Sequence, residues 1–446
     1  MKINYQVLKQ IAQEQGLRVT DLIALAPQND PFYCGSPGEV EKAEWFAGLW
    51  RRFGYSTGVH LRRVHYQLIS QPDPRKADGS PYQNTENDWN YLLNAGKYAR
   101  YLGLVNPESF VDRRNPDAIL MASYWGDEPP GYELNTWQST EIEFPTWPEL
   151  PNYQVQGFDV NLQPYHLEIW VEKTTMNDVL RPLCSEYKTN LVTGAGEMSI
   201  TACLDLVKRV EEAKRPARIF YVSDFDPAGY GMPISVARKI EFLIDNLGLD
   251  HDVRLEPVAL TKQQVMEHQL PRTPIKETEL RKGHFEEIHG EGAVELDALE
   301  ALYPGTLRDI VREGLDQYYD HDIDDQLRQG KQELFSALNR KVEDEATEIL
   351  EDHPEWADLE DRFIEAIDEF KVEISPIQDD LARFMELLLA KLEDVTYDLI
   401  DPKDYFPQEV KQVEEGNDWL YDSRRSYTKQ LMAYKMQRAG NGHGGE

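Results

Sequence analysis

The stretch Arg218–Gly229 reads RIFYVSDFDPAG, with two aspartates, Asp224 and Asp226, one residue apart. The apolar run Ile219–Val222 drives into the acids. A Pro-x-Gly turn follows, then an amphipathic segment from Ile234. That order predicts strand, acidic loop, helix. Residues i and i+2 of a strand share a face, so both carboxylates project at the strand's carboxyl end, where open parallel sheets keep their chemistry. Two carboxylates so close repel unless a cation joins them, and oxygen donors select a hard ion such as Mg²⁺. Upstream, His166-Leu-Glu-Ile-Trp-Val-Glu172 is a second β-rich run ending in an acid. If the two strands pair or lie one apart, their ends are about 5–10 Å apart. Glu172 is then placed as a general acid/base beside the metal. Loop acids after two buried strands are the plain alternative. The order strand-Glu, helix, Thr193-Gly-Ala-Gly-Glu197 loop, strand-D-x-D-x-x-G is more specific than D-x-D alone.

A second chemical group lies on the helical pattern His60–Ile69. At about 100° per residue, Leu61, Val64, His65, Leu68 and Ile69 form one stripe, and Tyr66 falls outside it. Arg62 and Arg63 stand four and three residues before Tyr66, close enough to flank its hydroxyl. A phenol between guanidinium groups suits attack on a phosphodiester, because positive charge favours the phenolate and holds the phosphate. A surface tyrosine touching a phosphate or a partner fits the same residues. His65, within the stripe, reads as a satisfied core residue.

These features, over roughly Tyr55 to Asp320, resemble the Toprim proteins, and among them the A subunits of type IIB topoisomerases (topoisomerase VI) and the related meiotic double-strand-break protein. Glu172 matches the Toprim glutamate, and Asp224 and Asp226 match its D-x-D pair. Glu295 and Asp297 look like the family's closing acidic segment. Arg62-Arg-Val-His-Tyr66 fits the family's Arg-x-x-x-Tyr pattern and implies Tyr66 as nucleophile; His65 departs from it where a second aromatic is common. The resemblance implies an α/β Toprim domain, a parallel sheet flanked by helices, with an α-rich winged-helix domain. It also implies Mg²⁺-dependent DNA cleavage, a homodimer in which one copy's tyrosine meets the other's acids, and a separate ATPase subunit. No P-loop is present in this chain. Two other readings stand beside it. One is a hydrolytic Toprim nuclease of a defence system or mobile element, without a covalent intermediate. The other is a non-catalytic DNA-binding assembly subunit.

Around these residues the chain divides as follows. Residues 1–37 are a helical segment and loop. Residues 38–120 carry three helical patterns (39–53, 60–69, 86–102) and a short ribbon near 104–116, a winged-helix-like unit. Residues 121–164 are a Pro-, Trp- and Tyr-rich linker, and 165–325 the Toprim segment. Residues 326–446 form an acidic helical extension. The net charge of −33 argues against DNA binding as a single number. By segment, Arg51–Asn115 has ten Lys/Arg against six Asp/Glu, while Lys331–Glu446 has 14 against 29. Phosphate binding depends on local positive charge, which makes Lys97, Arg100, Arg113 and Arg114, with Arg62 and Arg63, the candidate DNA contacts. Three widely spaced cysteines fit neither a disulfide framework nor a zinc site, and no apolar run is long enough to span a membrane. A cytoplasmic protein is expected.

Overall fold

The computed structural model describes residues 3–111, 115–122, 129–135, 149–369, 374–393, 400–407, 413 and 419–440. In chain order, four helices come first: α1 Tyr5–Gln15, α2 Pro37–Arg52, α3 Leu61–Ile69 and α4 Glu86–Tyr101. A hairpin follows, β1 Gly131–Asn135 and β2 Asn152–Gln156. The α/β segment runs β3 His166–Val171, α5 Asn177–Glu186, β4 Asn190–Thr193, α6 Ile200–Ala213, β5 Ala217–Val222, α7 Met232–Leu247 and β6 Val253–Ala259. Four shorter helices close it: α8 Lys262–Glu267, α9 Lys282–His289, α10 Leu296–Leu302 and α11 Thr306–Tyr318. Then come α12 Ile323–Glu351, α13 Glu355–Glu369, α14 Ile374–Glu393, β7 Tyr421–Asp422 and α15 Tyr427–Arg438.

The fold is mixed α/β around a five-stranded sheet of order β4-β3-β5-β6-β7. The first four strands are parallel, and β7 pairs antiparallel with β6. Every residue of β3, β4 and β5 is buried, as expected of parallel strands covered on both faces. Successive residues alternate between two cores. Leu167, Ile169, Val171, Phe220 and Val222 face α5, α10 and α11. Trp170, Ile219 and Tyr221 face α6 and α7. From β3 the chain runs to β4 on one side, and from β4 it crosses back to β5 on the other. The order therefore reverses between β3 and β5, which opens a crevice at their carboxyl ends.

The chain forms two compact units. The first contains residues 1–122, 164–319 and 412–446. The helices that the sequence separates from the sheet share its unit, because Ile200 of α6 and Phe242 of α7 join the core of α1–α4. Capping fixes the ends of these helices: Thr85 accepts from the Asp88 N–H at the start of α4, and Ser36 and Glu39 form a capping box on α2. The ribbon expected near 104–116 is a 3₁₀ turn, Pro107–Ser109, and one bridge from Phe110 to Val59, among the described residues.

Residues 419–440, within the expected acidic helical extension 326–446, belong to this same unit. β7 extends the sheet at β6, and α15 packs beside it. Arg238 of α7 is fully buried against Asp30 (3.0 Å), Glu241 (2.9 Å) and the Tyr427 hydroxyl of α15 (2.6 Å). Tyr427 in turn donates to the Leu22 carbonyl. A buried charge needs such partners, and they come from both ends of the sequence.

The second unit contains residues 123–163 and 320–411. The region expected as a linker supplies its hairpin β1–β2, whose Tyr153 packs with Phe158 and with Leu334, Leu338 and Val342 of α12. α13 and α14 complete this core with Leu359, Leu381 and Leu388.

Candidate acidic site and tyrosine face

β3 and β5 are direct neighbours, with Val171 opposite Val222, and the Glu172 N–H donates to the Val222 carbonyl. The two acidic ends therefore meet in the crevice. The Asp224 N–H donates to Glu172 Oε2 at 3.2 Å, and the Gly229 N–H donates to Asp226 Oδ1 at 2.6 Å. The turn requires glycine at 229: a Cβ there would lie 2.2 Å from the Asp224 carbonyl oxygen. A third segment closes on the loop. Phe225 and Val294 exchange both backbone hydrogen bonds. The Leu296 N–H then donates to Asp224 Oδ1 at 2.9 Å. This delivers Glu295 and Asp297, at the start of α10, to the same place.

Lys173, adjacent to Glu172 in sequence, sits among these acids. Its ammonium lies 2.7 Å from Asp224 Oδ2, 3.0 Å from Glu295 Oε2 and 3.3 Å from Asp297 Oδ2. Burial opposes its charge, but its hydrogen bonds to the three carboxylates outweigh burial and hold it above its ordinary range. Burial, then the charges of Asp224 and Asp226, push the Glu172 carboxyl up to about 7. Burial also raises Asp224, against the pull of Lys173. Among the described residues, no group of three or more His, Cys, Asp or Glu side chains is arranged as a ready metal cage. The cation now within hydrogen-bond reach of Asp224 is the lysine.

The loop after β4 is a tight turn. The Gly194 N–H donates to the Val171 carbonyl, and a Cβ on Gly194 would lie 2.9 Å from the Gly196 oxygen. Glu197 of this loop binds Lys239 and Ser235 of α7. Four residues before Glu172, on β3 itself, the fully buried Glu168 accepts from Arg209 Nε (2.6 Å) and Nη2 (2.9 Å) and from Trp170 Nε1 (2.8 Å), and pairs with His166. Burial raises this carboxyl, yet Arg209 and His166 pull it far below the usual range.

On α3, Val64, His65 and Leu68 are buried, and Arg62, Arg63 and Tyr66 are exposed, Tyr66 by 57%. His65 is held at both ring nitrogens, by Tyr82 (2.7 Å) and Asn84 (3.1 Å). Arg62 and Arg63 line a groove of about 840 Å³ that also touches Trp89, Phe110, Ser199 and Thr201. The Tyr66 ring packs edge-on against the His65 ring, and the Tyr66 backbone carbonyl accepts from Ser70 Oγ at 2.7 Å. Its hydroxyl makes no hydrogen bond to Glu172, Asp224 or Asp226, and the Arg62–Arg63 groove also reaches Glu197 of the loop after β4.

Two expected DNA contacts have other partners. Lys97 Nζ donates to the Gln28 carbonyl at 2.7 Å and lies over the Tyr98 ring. Arg100 donates to Thr201 Oγ1 at 3.0 Å and stacks on Phe110, joining α4 to α6. Both are half-buried and tie elements together, which leaves Arg62 and Arg63 as the exposed pair. Arg113 and Arg114 lie outside the described residues. No helix among the described residues is long and apolar enough to cross a membrane, and the three cysteines are buried thiols. The chain matches no protein-family model, and a search of curated proteins returns no match.

Proposed function

We propose that this chain cleaves DNA by transesterification in the manner of type IIB topoisomerase A subunits, with Mg²⁺ at the β3/β5 crevice. The observation that carries the reading is the adjoining of the β3 and β5 ends, which bear Glu172, Asp224 and Asp226, at the point where the strand order reverses. The donor set fits a hard cation: all donors are carboxylate oxygens, and one of the three residues, Asp224, already draws an ammonium to 2.7 Å. Glu172 Oε1 and Asp226 Oδ2 have no hydrogen-bond partner among the described residues. With Asp224 they would hold the ion, which when bound would offset charge on the phosphate being attacked.

Tyr66 Oη attacks the phosphorus. The phenol loses its proton as an Oη–P bond forms, the P–O bond to the sugar breaks, and the sugar oxygen takes up a proton as it leaves. Glu172, beside Asp224 in the crevice, passes that proton from the phenol to the leaving oxygen. Arg62 and Arg63, one helical turn from Tyr66, hold the phosphate. The exposed setting of Tyr66 leaves its hydroxyl free to serve another copy's crevice, as a homodimer would require. Strand passage on this reading requires a separate ATPase subunit.

The test is cleavage of end-labelled duplex with Mg²⁺, quenched in detergent and analysed for label on protein. Wild type should carry label, Tyr66→Phe none, and Asp226→Ala should neither cleave nor label. Cleavage without label by both wild type and Tyr66→Phe would make water the nucleophile and the chain a hydrolytic nuclease. No cleavage by wild type under any metal condition would remove the enzymatic reading.

A further inference from the structure

Lys173 has no part in the scheme above, yet it has the densest set of charged partners in the crevice. Its three carboxylates come from two distant segments, the β5–α7 loop and the start of α10. Those segments are fixed to each other by the Phe225–Val294 pair and the Leu296 N–H. Lys173 does not arrive by chance of a flexible stem. Its backbone is extended, and it directly follows Glu172. Consecutive residues of extended chain point to opposite faces, so Glu172 and Lys173 reach Asp224 differently, one at its backbone N–H and the other at Oδ2. The acids thus fall into two groups. Asp224, Glu295 and Asp297 hold the ammonium. Glu172 and Asp226 keep one carboxylate oxygen each without a partner among the described residues.

We propose that Lys173 is a built-in cation of this site, occupying the Asp224–Glu295–Asp297 side and limiting the crevice to one divalent ion on the Glu172–Asp224–Asp226 side. The inference rests on the metal reading given under Proposed function. Without the lysine, the three carboxylates around its ammonium are left with no counter-charge there, and a hard ion is the cation that oxygen donors favour. With it, a divalent ion placed against the same oxygens would stand a few ångströms from an ammonium. That repulsion is several-fold thermal energy in a partly buried site. Lys173 also keeps α10 drawn onto the D-x-D loop before any metal arrives. On this account Glu295 and Asp297 serve to hold the lysine and are not ligands of the divalent ion.

The experiment counts tight Mn²⁺ ions per full-length chain from the free-ion electron paramagnetic resonance signal. Mn²⁺ shares the preference of Mg²⁺ for oxygen ligands. Salt near 0.15 M screens the diffuse acidic surface. Wild type and Lys173→Arg should bind one ion. Lys173→Met and Lys173→Gln should bind two, and adding Glu295→Gln and Asp297→Asn to either should return the count to one. Two ions on wild type, or one on both lysine variants with Asp226→Ala reducing wild type to none, would overturn the role of Lys173 while leaving the metal site standing. No tight ion on any protein would overturn the metal reading and this inference together. Thermal melts of each variant confirm that folded chains are being counted, and Glu295→Gln/Asp297→Asn alone, with the lysine kept, should still bind one ion.

Discussion

Glu172 carries a clear pH signature. Its carboxyl titrates at about 7 when folded, against an ordinary value of 4.5, because burial and the neighbouring aspartates disfavour its charge. The folded state therefore binds more protons than the unfolded state between those two values, and stability falls as pH rises through that window. Glu172→Gln removes the charge while keeping the shape. At pH 8 the variant should be more stable than wild type by up to about 3 kcal/mol, since a tenfold change in proton affinity corresponds to about 1.4 kcal/mol. The gap should close below about pH 5, where both proteins are neutral at this position. Calorimetric melts at pH 5 and 8 in metal-free buffer measure it, and equal differences at both pH values would contradict the electrostatic account. Glu172, Asp224 and Asp226 were legible in the sequence because each ends or follows an apolar run, and strand ends are where parallel sheets put polar groups. The role of Lys173 was not legible: two of its partners, Glu295 and Asp297, lie 122 and 124 residues away, and only the fold brings them to it.

Elements with strong local signals were readable to within a residue or two. α3 and α4 combine a 3.6-residue apolar period with cap residues, and Tyr66 and His65 sit on the faces that the period assigns. The hairpin β1–β2 lacks that kind of signal. Its residues neither alternate cleanly nor flank a tight turn, and its order comes from packing on α12. Strand β3 hides its main polar feature for a related reason. Glu168 looks like a pause in an apolar run, yet it anchors Arg209 of α6 to the sheet beneath the acidic crevice. Glu168→Gln should cost roughly 3–5 kcal/mol, because the guanidinium is left buried without its counter-charge. Adding Arg209→Met to the variant should recover part of that loss. Denaturant unfolding of the single and double variants measures both, and a single-variant loss under about 1 kcal/mol would show that the pair is not what joins α6 to β3.

Across the whole molecule, charge is divided as sharply as structure. Residues 123–163 and 320–411 hold 10 Lys/Arg against 35 Asp/Glu, a net of −25, which leaves −8 for all the rest. Cutting the chain at Lys331 would not isolate this effect, since that cut also removes β7 and α15 from the sheet-bearing unit. Replacing the two segments of the acidic unit by short linkers is the cleaner change. If that unit repels DNA, the shortened protein should bind duplex on the order of tenfold more tightly at about 50 mM salt. The advantage should shrink by about 200 mM, where screening shortens the reach of charge. Fluorescence anisotropy with labelled duplex reads it, alongside a cooperative melt to show that the sheet-bearing unit still folds. Equal or weaker binding by a folded protein would mean that the acidic unit does not oppose DNA.

The bond from Arg238 to Tyr427 has a consequence for how the protein is made. The ribosome delivers Asp30 early, Arg238 midway, and Tyr427 only after α11 and all of α12–α14 have emerged. Until then the edge of β6 is open and one buried guanidinium lacks its hydroxyl partner. A nascent chain stalled before β7 thus carries the candidate acids and the tyrosine but not the finished sheet around them. Translation itself would delay completion of the proposed cleavage site until this late segment docks against residues made far earlier.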